Sequence, residues 1–170
     1  MAVARSCNYH AQAIRHIRHL LSTHLATTLA CSLILSRLDY CNSLLHGAPT
    51  GSISTLQRVQ NNAARIVLQA LRRSRARLLL RQLYWLPVHH RIYYKLAVMT
   101  YKIHRSSTLS YLSRHIKLRQ SACSLRSSDI PLLDKPTIRT EPAKRSFRYS
   151  APSVWNSLNA MLQTQYGNLI

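Results

Sequence analysis

Hydrophobic positions recur at helical spacing through the first 105 residues and lose that spacing afterwards. In residues 10–22, Ile14, Ile17 and Leu21 fall at i, i+3 and i+7, with Leu20 beside them, and Arg15, Arg18 and His19 fall on the outward side. Ser22 or Thr23 can cap a second helix by accepting a hydrogen bond from a free N–H of its first turn. That helix is expected to run through Leu25, Leu29, Leu33 and Leu38 to Leu45, where Gly47 and Pro49 stop it. A third helix follows in "SISTLQRVQNNAARIVLQAL", with Ser54 and Gln57 spaced as a capping box and an apolar stripe of Leu56, Val59, Ala63, Ile66 and Val67. Arg58, Arg65 and Arg72 repeat every seven residues on another face. "RRSRARLLLRQLYWL" leads into a short helix that Pro87 ends.

Residues 88–105 carry the best-defined helical pattern. Ile92, Leu96, Met99 and Ile103 form its apolar stripe, and Arg91, Lys95, Lys102 and Arg105 form a basic stripe about a quarter turn away, at ~100° per residue. Tyr94 and Tyr101 border the basic stripe. Beyond Arg105, Ser, Pro, Arg and Lys become frequent. "LSYLSRHI" predicts one or two helical turns, and "LRSSDIPLLDKPTIRTEP" predicts a loop with at most a short strand pair. A short helix is expected near 152–162, with Pro152 in its first turn and Trp155 on the core. The fold class is therefore mainly α: a helical, bundle-like domain of about five helices over 1–105, then an irregular Pro/Ser/Arg-rich segment over 106–170.

Composition allows a core. Hydrophobic residues make up 46% of 170 positions, enough for one domain, or one domain and a tail. Charge adds a stronger constraint: 24 Lys and Arg face only four acids, Asp39, Asp129, Asp134 and Glu141, for a net +20. Self-repulsion of that size disfavours a folded state unless a polyanion neutralises it. Nucleic acid is the first candidate and an anionic membrane the second. Cys7, Cys31, Cys41 and Cys123 form no CxxC pair, which points to reduced thiols in a nuclear or cytoplasmic setting. A buried structural role is the default for Cys41. No apolar run reaches the 18 or so residues of a membrane span. The N-terminal stretch, Arg-rich and acid-free, has the look of a transit peptide.

The same composition narrows the chemistry. Two-metal phosphoryl transfer needs converging carboxylates, and here the four acids stand apart. His10, His16, His19 and His24 cluster early and His89 adjoins His90, but no matched ligand set accompanies them, so solvated or phosphate-facing histidines fit better than a metal site. Neither a GxSxG nor a Gly-rich phosphate loop is present. Asp39, flanked by Tyr40 and Cys41, is expected to be structural, paired with cations of a neighbouring turn or with backbone N–H groups. No cofactor, metal or catalytic residue is expected. The basic surface is the candidate site: Arg58, Arg65, Arg72, Arg73, Arg91, Lys95, Lys102 and Arg105 for phosphates. Tyr94 and Tyr101 are either stacking platforms or partly buried core aromatics.

Seven runs occur together and in order: "AIRHIRHLL", "LACSLILSRLDYCNSLLHGAP", "LQRVQNNAARIV", "LRQLYWLPVHHRIYYKLAVMTYKIH", "YLSRHI", "LRSSDIPLL" and "KRSFRYSAPSVWNSL". As an ordered set, covering about residues 5–160, they resemble the C-terminal region of LINE-type (non-LTR, jockey-like) retrotransposon reverse transcriptases. Tyr84 stands where that family usually has His, and the residues after Leu158 depart from its pattern. The resemblance implies the thumb-like part that lies after the catalytic palm and grips template–primer. It implies RNA or RNA–DNA hybrid as partner through non-specific phosphate contacts, no membrane partner, and the palm of the parent chain as the original packing partner. With no paired-aspartate motif, it implies no polymerase activity of the chain's own. It also accounts for "AIRHIRHLL", which weakens the transit-peptide reading. The alternative is a functionless translated relic of a truncated element copy.

Overall fold

The computed structural model describes residues 2–106, 110–119 and 132–166. Among these the chain is mainly helical. It divides into two units, Met1–Ile92 and Tyr93–Ile170, with the division inside the helix of residues 88–106.

Helix α1, Ala2–Ile17, starts well before the expected residue 10. Its buried face is Ala4, Cys7, Ala11 and Ile14 and continues into Arg18. These positions alternate steps of three and four, as one helical face requires. Small side chains here let α1 approach its neighbours closely; it packs mainly on α4 (Thr50–Val67). Ile17 and Leu20, expected in the core, are 44% and 75% exposed instead. Arg18, expected to face outward, is buried.

Ser22 does cap the second helix: its Oγ accepts from the Leu25 N–H at 3.3 Å. The helix is not continuous to Leu45. It comprises α2 (Thr23–Ala30), a π-helical turn (Cys31–Leu35) and α3 (Ser36–Asp39). The buried positions explain the wide turn. Ala26, Ala30, Ile34 and Leu38 repeat every four residues, which in a regular α-helix drifts about 40° per step around the axis. A turn that takes one extra residue brings the face back. Leu25, expected inside, is exposed. The helix ends at Tyr40, and Cys41 adopts a positive φ of 53° on the exposed surface, contrary to the buried role expected of it. Gly47 takes φ 70° before α4, as its place in the sequence predicts.

In α4 the stripe Leu56, Val59, Ala63, Ile66 and Val67 is buried as expected, together with Gln60 and Ala64. A side chain of this size contributes roughly 1.5–3 kcal/mol when fully buried. The capping box is absent. The helix begins at Thr50, and Ser54 Oγ donates to the Gly51 carbonyl at 2.9 Å inside it. Gln57 serves another helix: its Oε1 accepts the Val88 N–H at 2.9 Å, capping the start of α6 (Val88–Ser106). Gln60, with no exposed surface, donates to the Leu86 carbonyl at 2.9 Å and accepts from Gln57 Nε2 at 3.0 Å. Between α4 and α6 lies α5, Ala76–Gln82, which stops before Tyr84 at φ 55° rather than at Pro87. In α6, Val88, Ile92, Leu96 and Ile103 are buried; Thr100 is fully buried where the expected stripe has the half-buried Met99.

In the second unit α7, Ser110–Ser113, is a single turn where one or two were expected. An isolated antiparallel bridge joins Leu118 to Leu133. Helix α8, Phe147–Tyr166, is longer than the expected 152–162 and holds Pro152 inside it. Its first turn is closed by the Ser146 carbonyl, which accepts from the Ser150 N–H at 2.9 Å. Asn156 exchanges two 2.9 Å hydrogen bonds with the backbone N–H and carbonyl of buried Leu133, and His104 stacks on the half-buried Trp155. Part of the proline-rich segment, Asp129 included, lies outside the described residues.

The amide network yields a test of the first unit. Gln60→Ala leaves the Leu86 carbonyl and the Gln57 amide without their buried partner, and is expected to destabilise the fold by about 2–3 kcal/mol. Urea titration followed by circular dichroism measures it; an unchanged midpoint contradicts the assignment.

Candidate nucleic-acid interface

The residues of the basic surface fall into three settings. The first is α6. Lys95, Lys102 and Arg105 are exposed on the side away from its buried stripe, and no carboxylate occurs anywhere in the helix. Tyr94 and Tyr101 flank these cations and are 63% and 50% exposed, which removes them from the core and leaves their ring faces accessible to bases. Spacings of seven, Tyr94 to Tyr101 and Lys95 to Lys102, repeat the pair two turns along the same face.

Arg91 has a different setting. Its Nε donates to Asp39 Oδ1 at 2.7 Å and its Nη2 to Oδ2, a bidentate ion pair between α6 and the end of α3. Asn42 Nδ2 also donates to Oδ1, at 3.2 Å. The hydrogen bonds that Arg91 donates to Asp39 outweigh burial and raise the Arg91 pKa further. Both partners occupy places their own helices disfavour. Asp39 ends a helix, where the dipole is negative, and Arg91 sits in a first turn, where it is positive. Each supplies the counter-charge the other lacks. Asp39 therefore pairs with a cation 52 residues away rather than with a neighbouring turn.

The third setting is the end of α4 and the turn after it. Arg58 is exposed, and so are Arg72 and Arg73, which lie beyond the helix end at Val67. The seven-residue repeat of Arg58, Arg65 and Arg72 thus does not define one helical face. Arg65 is half-buried: Nη2 donates to the Ser74 carbonyl at 3.3 Å, while Nε is buried with no hydrogen-bond partner. Arg65 and Arg72 instead line a cleft of about 630 Å³, with Arg15, Arg18, His19 and Asn62. Within it, Arg18 makes four side-chain hydrogen bonds. Its Nε and Nη2 donate to the Val67 carbonyl at 2.9 and 2.6 Å, its Nη1 to the Leu21 carbonyl at 2.7 Å, and its Nη2 also to Thr23 Oγ1 at 3.2 Å. A guanidinium on the last carbonyl of α4 meets the negative end of that helix.

The sequence reading missed Arg15, Arg18, His19 and Asn62 as a group. A usable signal exists: cations at i, i+3 and i+4 close α1 just where its small-residue face turns inward. Among the described residues no group of three or more His, Cys, Asp or Glu is placed to hold a metal ion, and no helix is long and apolar enough to cross a membrane. Comparison with protein-family models, with curated proteins and with solved structures found no match.

The Asp39–Arg91 pair separates structural from surface charge. Asp39→Asn is expected to cost about 1–2 kcal/mol of stability, discounted for partial exposure, with little change in nucleic-acid affinity. Parallel melting curves and oligonucleotide titrations measure both; the reverse ordering of effects contradicts this.

Proposed function

We propose that this chain is a non-catalytic nucleic-acid-binding segment, the thumb-like C-terminal part of a LINE-type reverse transcriptase, gripping RNA or an RNA–DNA hybrid through non-specific phosphate contacts. The observation that carries the reading is the acid-free face of α6, where exposed Lys95, Lys102 and Arg105 alternate with exposed Tyr94 and Tyr101. Cations on one helix face neutralise successive phosphates, and the rings between them stack on bases with little regard to sequence. Arg58, Arg72 and Arg73 supply further exposed cations in the other unit. Arg91 is left out of the phosphate-binding set because Asp39 occupies its guanidinium.

Two further facts support the reading. Phosphates relieve the self-repulsion of a chain at +20. Large apolar side chains also stand open on the first unit, among them Leu20, Leu71 and Tyr84, and exposed apolar surface is what a segment shaped to pack on a palm presents. The same exposure favours the relic reading as second choice. Cooperative thermal unfolding of the isolated chain argues for a working segment, and a broad non-cooperative profile for a relic.

The nucleic-acid reading is tested by salt. With about five phosphates contacted, log K is expected to fall against log salt with a slope near −4 for a single strand or hybrid. Replacing both Lys95 and Lys102 by Gln is expected to flatten that slope by roughly 1.5–2. Fluorescence anisotropy with labelled RNA and hybrid measures both quantities. Binding that ignores salt overturns the proposal.

A further inference from the structure

We infer that the cleft formed by Arg15, Arg18, His19, Asn62, Arg65 and Arg72 is a binding site for a phosphate monoester. The cleft lies where the last turn of α1 meets the end of α4, wholly within the first unit. Four arginines and a histidine line it, and no carboxylate does. Convergence of like charges without an acid is unfavourable unless an anion joins them.

The fate of each donor sharpens the point. Arg18 gives four of its five N–H groups to the Val67 and Leu21 carbonyls and to Thr23, so it chiefly shapes the cleft and offsets the helix end. The Val67 carbonyl, the last of α4, is thereby engaged. The Arg65 guanidinium makes a long hydrogen bond to the Ser74 carbonyl at 3.3 Å, and its Nε is buried without a partner. A guanidinium so weakly matched inside the protein keeps charge to offer an anion at the cleft. Arg15, His19 and Arg72 are exposed at the rim and Asn62 is half-buried. They offer donors that a tetrahedral anion accepts from several directions at once.

Two features select a monoester. Its dianion gains more from four guanidinium groups than the single charge of a diester does. The volume, about 630 Å³, exceeds what a phosphate fills and falls in the range of pockets that hold small organic molecules. The phosphate therefore arrives attached to a larger body, either a free nucleotide or the 5′ end of a strand. Only the second source rests on the nucleic-acid reading above.

The test compares two oligonucleotides of one sequence, 5′-phosphorylated and 5′-hydroxyl, binding to the full chain in a buffer free of phosphate. A nucleoside monophosphate and inorganic phosphate serve as competitors. The phosphorylated strand is expected to bind roughly tenfold more tightly, the effect of one or two charge-assisted hydrogen bonds. Arg72→Gln, at an exposed position, and Arg65→Gln are each expected to abolish that preference. The Lys95→Gln/Lys102→Gln double variant is expected to lower both affinities and keep their ratio. Competition by the mononucleotide at micromolar concentration assigns the free ligand as source; a preference that it does not erase assigns the strand end. Equal binding of the two strands, with no effect of phosphate or mononucleotide at millimolar concentration, overturns the site while leaving a steep salt slope intact. Monoester binding without affinity for either strand sustains the site and removes the nucleic-acid reading.

Discussion

Buried positive charge in this chain has to be matched almost without carboxylates. Four acids serve 24 Lys and Arg, so a cation that enters the interior must find a backbone carbonyl, and the helix ends are where free carbonyls stand. Arg18 takes this course on the last carbonyl of α4, which ties the end of α1 to the helix that α1 and α2 both pack against. Arg65 follows with the Ser74 carbonyl. Arg91 is the exception, and it takes the single acid of the first unit, Asp39. In the second unit Glu141 pairs at 2.5 Å with Lys144, on the surface and close in sequence, where such a pair adds little. Most of the other cations lie on the surface, far in excess of the acids available to balance them.

The polar interior of α4 serves the same end by different means. Gln57 and Gln60 are neutral, so they can be buried beside cations without adding charge, and their two-ended amides hold a turn that would otherwise bury unsatisfied groups. Through the Leu86 carbonyl and the Val88 N–H they fix where α6 begins. The start of α6 sets the rotation of its apolar stripe, and the stripe sets which residues of the helix face solvent.

The sequence was legible where large aliphatic side chains carry the pattern. The stripe of α4 and that of α6, apart from Met99, lie where periodicity places them, because a buried Ile, Leu or Val weighs heavily in any hydropathy reading. It was not legible in α1, whose inner face is Ala4, Cys7 and Ala11. Small residues there serve close approach rather than bulk burial, so the larger Ile17 and Leu20 drew the expectation to the wrong side. The π-helical turn escaped because a four-residue repeat reads as an ordinary helix until its drift is summed over several turns. At the candidate site, the stripe on α6 was visible as charge at helical spacing. The diversion of Arg91 to Asp39 and the burial of Arg18 were not, since both depend on partners dozens of residues away.

On the proposed reading the cations divide their labour: Arg18 and Arg91 hold the fold, and those on α6 with the turn after α4 meet phosphate. Photo-crosslinking of a bound single strand to the full chain, with adducts located by mass spectrometry, tests it most directly. The account expects adducts concentrated at Tyr94 and Tyr101 and in the segment around Arg72 and Arg73. Adducts spread evenly over exposed basic positions, with Arg5, Arg37 and Arg148 labelled as strongly as α6, contradict it.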